Sequence, residues 1–589
     1  MVLDQLLSLN IYKGTFRIIF SLLLRSTYPQ NQQMLDLDDR SFHQRIKLLQ
    51  FFVAMAVLLN FSGLFVTIIG PDGALYASIA KTMVLKNNFA ELFVDGRDWL
   101  DKPHFPFWMA AISFKLFGFQ TWAYKLPAVI FSMMAAAYTY KLARLFYTKE
   151  TGLWAALILL TAQHLVISDM DVRAEPYLTG LIIGSVYHFF KAQDKNWFWQ
   201  LLIGSLWAAC AVMTKGIFAL IPVFGAIAIS LAIVKNWKML FNYRWLIAIG
   251  MVLVFMIPEL WCLYLQFDSH PEKVIFEQTN VSGIRFFFWD SQFGRFFNTG
   301  PYKKAGGDPS FFIHTTLWAF LPWSILLIFS VVDFIRNKTN RIRQQDWVCI
   351  SGAGLALLVL SASQFQLPHY VVIIFPFYAI LVANYIMRLE SIKAIKLTNA
   401  IQTGLSFLLL GLIIVVHILF KPALPSYLLL AILAILFLIV LLPKYSEERY
   451  IPLFRTAAVI MFINVYFNLA YYPTLTMYQG DSQAAFWLNK NNPQKLPVVK
   501  VVNNFSYAID FYSDEIVHDH WLGEEQRLPN KPYYVYGTQE SLDDLAKQGI
   551  VMEQVKSFAT YRITRMKLKF LNHKTRKEAV ETAKIVLVR

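Results

Sequence analysis

Apolar and polar positions alternate along this chain on the scale of a membrane. Apolar runs long enough to cross a bilayer, at about 20 residues each, lie near 48–70, 122–146, 151–168, 174–191, 197–214, 216–234 and 244–266. Six more follow near 311–335, 346–363, 368–388, 397–420, 424–443 and 452–472. Two long polar interruptions, 71–121 and 267–310, break the series, and the run at 103–118 is read as lying in the interface instead of spanning. After Tyr472 the pattern changes to short alternating runs, PVVKVV at 497–502, YYVYG at 533–537 and KIVLVR at 584–589, which predict strands. Thr538 followed by Ser541–Lys547 predicts a capped helix between two of them.

The pattern predicts a polytopic α-helical membrane protein of about 13 transmembrane helices with a C-terminal soluble α/β domain. Its divisions are a cytoplasmic segment at 1–47, a membrane domain at 48–472 and an extracytoplasmic domain at 473–589. Basic residues set the orientation. With thirteen spans, the inner turns hold Arg144 and Lys149, Lys191 and Lys195, Lys235 and Lys238, Arg336 to Arg343, Arg388 to Lys396, and Lys444 and Arg449. A span at 103–118 would reverse every later loop and make the poorly charged turn at 364–368 cytoplasmic. The apolar stretch Ile18–Leu24 is short and has no small-residue cleavage site after it, so no removable signal peptide is expected.

Composition agrees. The 589 residues are 57% hydrophobic and only 16% charged, well below the charge content of soluble domains. The formal charge of +16 is scattered between apolar runs, which fits basic membrane loops and excludes a compact nucleic-acid-binding domain. Cys210, Cys262 and Cys349 fall inside apolar runs without disulfide or metal spacing and read as packing residues.

Candidate chemistry gathers on the predicted outer side. Pro71 to Trp108 predicts two short helices, the first opened by Asp72 as its N-cap with Leu75, Ile79 and Met83 on one face, the second starting at Asp101, Lys102 and Pro103. The turn SDMDVRAEP holds Asp169, Asp171, Arg173 and Glu175, where charge beside lipid is costly. Glu175, ahead of Pro176, is placed to enter the bundle; Asp169 and Asp171 read as solvated loop charges. Lys102, Lys215 in AVMTKGIFAL and Arg295 supply cations suited to an anionic group such as a lipid-linked phosphate. His369 and Tyr370, after Pro368, offer donors for a sugar or phosphate.

These segments resemble a family, the GT-C glycosyltransferases of the aminoarabinose transferase (ArnT-like) group, related to the protein O-mannosyltransferases. PDGALYASIA is similar to the family's first acidic motif, WLDKPHFPFW to its (E/D)KP motif, DVRAEPYLTG to its second acidic motif and AVMTKGIFAL to its MTKG turn. FFIHTTLWAFLPW and LSASQFQLPHYVVIIFPFYAIL resemble its later helices, so the similarity runs over roughly 50–390. The resemblance implies a GT-C fold in the cell inner membrane, with its active site facing the periplasm. It also implies an inverting transfer of a sugar, such as 4-amino-4-deoxy-L-arabinose or another pentose or hexose, from a polyprenyl-phosphate donor to a lipid A-like, glycan or protein acceptor. Carried over by residue, Asp72 is the principal catalytic carboxylate and Glu175 the second, with Lys102, Lys215 and Arg295 as candidate donor-phosphate ligands; Arg173, His369 and Tyr370 are further candidate substrate contacts read from their own positions and not from the family. Gly73 stands where the family often has an acidic residue, and Glu175 where aminoarabinose transferases often have Asp. No cofactor is required by the motifs; a divalent metal at Asp101 is open by analogy, although no His/Cys ligand pattern supports it. A transporter or flippase of a lipid-linked anion, and an inactive scaffold, are the alternatives.

Overall fold

The computed structural model describes residues 38–589 except 302–305, 337–342, 426–427, 429–446, 502–506 and 523–527. Most of the segment 1–47 and most of the predicted span at 424–443 therefore lie outside the described residues. Among the described residues, eight helices are long and apolar enough to cross a membrane, or nine if one bent pair is a single span. The pair replaces the straight span predicted at 151–168. Lys149–Leu160 and Gln163–Met170 meet at 56°, and the amide that the break frees at Gln163 donates to Leu321 O at 2.9 Å, so the polar backbone stays satisfied within the bundle.

The elements that build the outer end can be taken in order. Helix α1 spans Pro71–Leu85. A two-residue hairpin, β1 (Phe93–Val94) and β2 (Arg97–Asp98), follows, and then α2, Phe105–Phe117, which at 13 residues is too short to span and stays consistent with an interfacial helix. Helix α3 is Glu175–Lys191 and α4 is Trp197–Lys215. Helix α5, Gln345–Ala362, precedes a tight 3₁₀ stretch at Pro368–Ile374 that leads into α6, Phe375–Arg388. One apolar core runs through the bundle, with α3 and α6 almost wholly inside it.

Beyond the bundle, α7 (Gly480–Asn491) leads into a five-stranded sheet. Its strands and helices are β3 (Val498–Val501), α8 (Tyr507–Tyr512), β4 (Val517–His520), β5 (Tyr533–Thr538), α9 (Gln539–Lys547), β6 (Met552–Thr560) and β7 (Glu581–Val588). The order is β4-β3-β5-β7-β6, with β3 parallel to both neighbours and the remaining pairs antiparallel. Helices α7 and α8 bury Ala484, Leu488 and Ile509 on the face of Val498, Tyr536 and Ile585; α9 buries Leu542 and Leu545 on the face of Val499, Val535 and Val586. Thr538 caps α9 through its side chain, as its sequence predicts.

Candidate active site

Four pieces of chain meet at one end of the bundle. The first is the start of α1. Gly70 is its N-cap and Pro71, whose φ suits the first helical position, stands at N1. Asp72 is therefore one residue inside the helix and caps nothing, a correction to the expected N-cap; its carboxylate remains in the first turn, half-exposed, where the helix dipole favours an anion. Ile79 and Met83 are buried and Leu75 lines the cavity described below. Glycine at 73 has a packing reason, because a Cβ there would stand 2.9 Å from Ile68 Cγ2 and 3.3 Å from Val172 O.

The second piece, Asp101 and Lys102, precedes α2 in irregular chain; the helix begins only at Phe105, four residues later than expected. His104 anchors this piece: its amide and Nδ1 contact the Glu259 carboxylate at 2.9 and 3.0 Å, its Nε2 lies 3.1 Å from Ala90 O, and both side chains are wholly buried. The third piece is the turn before α3. The expectation that Asp169 and Asp171 are solvated fails: Asp169 is fully buried and accepts a hydrogen bond from Ser132 at 2.5 Å. Asp171 accepts from the Gly70 amide at 2.8 Å and pairs with Arg173 at 3.3 Å, which ties the turn to the start of α1. Glu175 opens α3 with 2% of its side chain exposed. The fourth piece comprises the end of α4, with Gly216 at φ +95° and so close to Gln292 that any side chain would collide with it, together with Arg295 and the stretch Phe365–Tyr370.

Together they enclose a cavity of about 170 Å³ lined by Asp72, Tyr76, Asp101, Lys102, Arg173, Glu175, Lys215, Arg295, His369 and Tyr370, with Leu75, Phe365 and Leu367. All eight residues expected in catalytic or substrate-contacting roles line it, and Asp101 joins them. Charges are paired across it. Arg173 Nη1 lies 2.9 Å from Asp72 and 3.4 Å from His369 Nδ1; Lys215 pairs with Glu175 and sits 3.6 Å from the centre of the Tyr370 ring. Asp101 accepts from Lys102 at 2.7 Å with one oxygen and from Arg295 with the other. Burial would raise the Asp101 carboxyl, but Lys102 and Arg295 outweigh it and hold it below the usual range. Burial, and next the neighbouring Arg295, bring the Lys102 ammonium down to about 8 in spite of Asp101. With both Asp101 oxygens committed to cations, and no group of three His, Cys, Asp or Glu poised to hold an ion among the described residues, the donor set does not fit a metal.

Sequence reasoning missed Tyr76 and the structural part of Asp171. Tyr76 stands four residues after Asp72 on α1, a spacing that places both on one face. An apolar groove of about 110 Å³ shares Lys215, Arg295, Phe365 and Tyr370 with the charged cavity and continues along Leu178, Phe218, Ile221, Val359 and Leu360.

Known proteins resemble the chain over these elements. Residues 101–261 match the family model of dolichyl-phosphate-mannose-protein mannosyltransferases. An undecaprenyl phosphate-alpha-4-amino-4-deoxy-L-arabinose arabinosyl transferase of Edwardsiella ictaluri is 26% identical over 352 residues, 58% of this chain and 59% of the relative. The chain thus spans about three fifths of that transferase's length. An uncharacterized protein of Aquifex aeolicus is 22% identical over 454 residues, 76% of this chain and 83% of its own. The crystal structure of ArnT from Cupriavidus metallidurans bound to undecaprenyl phosphate superposes with a TM-score of 0.69 at 14% identity, covering 92% of this chain and 98% of that one. Over these segments the chain is similar to such transferases, and it shares the fold of ArnT.

Proposed function

We propose that the protein transfers a sugar from a polyprenyl-phosphate donor to an acceptor at the outer face of the inner membrane, with inversion at the anomeric carbon. The observation that carries this reading is the continuity of a cation-rich cavity with an apolar groove, the two surfaces that an anion on a long apolar chain requires. The relatives point the same way, among them the undecaprenyl phosphate-alpha-4-amino-4-deoxy-L-arabinose arabinosyl transferase of Edwardsiella ictaluri. Thirteen spans with the 473–589 region outside belong to the same proposal, since that orientation keeps every inner turn basic.

The roles follow from the pairing. The donor phosphate takes the place that carboxylates now hold at Lys215, Lys102 and Arg295, and these cations stabilise the charge that grows on it as leaving group. Releasing Lys215 frees Glu175 to position the substrates. Asp72, half-exposed on the solvent side of the cavity, accepts the proton of the acceptor hydroxyl as its oxygen attacks the anomeric carbon and the bond to phosphate breaks. The test is transfer of labelled sugar from defined polyprenyl-phosphate donors by the purified protein in nanodiscs. Label in an acceptor supports the reading. Movement of intact donor between leaflets without transfer would establish the flippase, and neither activity with any donor would leave a scaffold.

A further inference from the structure

Lys500, in the middle of β3, is fully buried, with Nζ 2.7 Å from Asp95, 2.6 Å from Asp510 and 3.1 Å from Asp519. One ammonium inside a fold needs one carboxylate; three leave an excess of negative charge that stability alone does not call for. The carboxylates come from three elements. Asp510 lies on α8, Asp519 on β4, and Asp95 at the tip of the β1–β2 hairpin, in the segment that leads to Asp101 and Lys102. Asp95 and Gly96 both take positive φ, 48° and 74°, the backbone of a tight two-residue turn, so the tip presents its carboxylate in a fixed direction. Helix α8 also grips α1: Lys81 Nζ donates to the carbonyls of Asp510, Phe511 and Ser513 at 2.8, 3.2 and 2.6 Å. Tyr512 accepts from the Ile68 amide at 2.9 Å, and Arg97 lies 3.8 Å over the Trp521 ring. The sheet thus holds both halves of the outer loop, α1 with Asp72 and the hairpin before Lys102.

We propose that Lys500 is a positioning residue of the active site, acting through Asp95 to fix the hairpin and with it the Asp101–Lys102 pair that faces the donor. The inference rests on the reading of that pair as a donor contact. The same cluster makes the grip depend on pH. Asp510 faces Lys500 of β3, Asp519 of β4 with His518 beside it, Asp95 of the hairpin, Lys81 of α1 and Tyr507 of its own helix. Burial first, then Asp519 and Asp95 against the pull of Lys500, push it up to about 7. A carboxyl raised above its free value favours the docked state while protonated, so the grip is full below the free carboxyl's value of 3.8, is lost as pH rises from there through about 7, and is level above it.

The experiment is hydrogen exchange of the 93–98 hairpin in the full chain in nanodiscs at pH 6 and 8.5, corrected for the intrinsic rate, alongside donor kinetics. In the parent, protection falls at the higher pH, and in Asp510→Asn it does not. Asp95→Asn, which leaves Lys500 two carboxylates and the fold intact, raises hairpin exchange about ten-fold and donor KM about three- to ten-fold with kcat changed less than about two-fold. Lys500→Met does the same where it folds. Unchanged exchange in Asp95→Asn, or faster exchange with an unchanged donor KM, overturns the inference. A parent that transfers no sugar defeats the proposed function instead, and the exchange measurements still judge the grip: a parent equally protected at both pH values defeats it.

Discussion

Two of the ion networks among the described residues differ in what surrounds them. At the proposed cytoplasmic end, Arg45 pairs with the buried Glu150 at 2.5 Å and with the partly exposed Glu447, and its own buried guanidinium lies 4.9 Å over the Tyr450 ring. In the outer cavity Lys102, Arg173, Lys215 and Arg295 meet Asp72, Asp101 and Glu175, with Asp171 pairing Arg173 from outside the lining to make the count of charge equal, but around about 170 Å³ of space and beside an apolar groove. Charge in a membrane protein is costly in both places; only the second leaves room for something to take a carboxylate's place. Packing alone separates a staple from a site.

Variants break or sharpen that contrast. Asp72→Asn keeps size and hydrogen bonding, and is expected to lower transfer by a factor on the order of 100 to 10,000 with donor binding and melting temperature near the parent's. Initial rates with a purified donor measure it, and near-parent turnover would remove Asp72 as the base. Glu175→Gln should cost less. At the other network the outcome reverses: Arg45→Met strands Glu150 in the interior and should cost about 3 to 5 kcal/mol of stability, seen as a lower melting temperature, while turnover per folded molecule is unchanged. A loss of specific activity there would mean that the two ends are coupled.

Smaller effects test the donor contacts. Lys102→Ala, Lys215→Ala and Arg295→Ala should each weaken donor affinity by about 1.5 to 3 kcal/mol, or about ten- to a hundred-fold, with protein amount in the membrane unchanged. Equal donor kinetics in all three would remove the phosphate assignment. The smallest effect is a pH dependence. With the Lys102 ammonium held near 8, its charge is present below that value and lost above it. Donor affinity should therefore fall a few-fold as pH rises from 7 to 9, and Lys102→Arg should flatten the profile. A parent profile flat across that interval would show that Lys102 stays charged, or touches no donor.

Much of the outer cavity was legible because its residues break apolar runs. Lys215 interrupts two helices and Glu175 precedes a proline at a helix start, and such interruptions need no tertiary knowledge to be noticed. Asp171 was misread because its role is a bond to the Gly70 amide, about a hundred residues away in sequence. Asp favours the N-cap, which is why its sequence points Asp72 to that position, yet Pro71 at N1 pushes the cap back to Gly70. The hairpin carried a signal that went unused: Asp95-Gly96 is a strong two-residue turn pair, overlooked because strands of two residues show no alternation. The break after Leu160 had no local sign at all, since its freed amide is satisfied at Leu321.

The balance of four cations against four carboxylates bears on how the donor is captured. A network without net charge, as this one is once Asp171 behind the lining is included, projects little field beyond the Debye length of about 8 Å at physiological ionic strength, so it does little to draw anions in from the water. A donor whose tail is already in the bilayer has no need of such steering. Under the proposed function it reaches the site sideways along the apolar groove, and its head meets the cations only at the last few ångströms. Encounter then depends on how much donor the membrane holds and hardly on salt, while free phosphates in solution, which lack the tail, pass the cavity by.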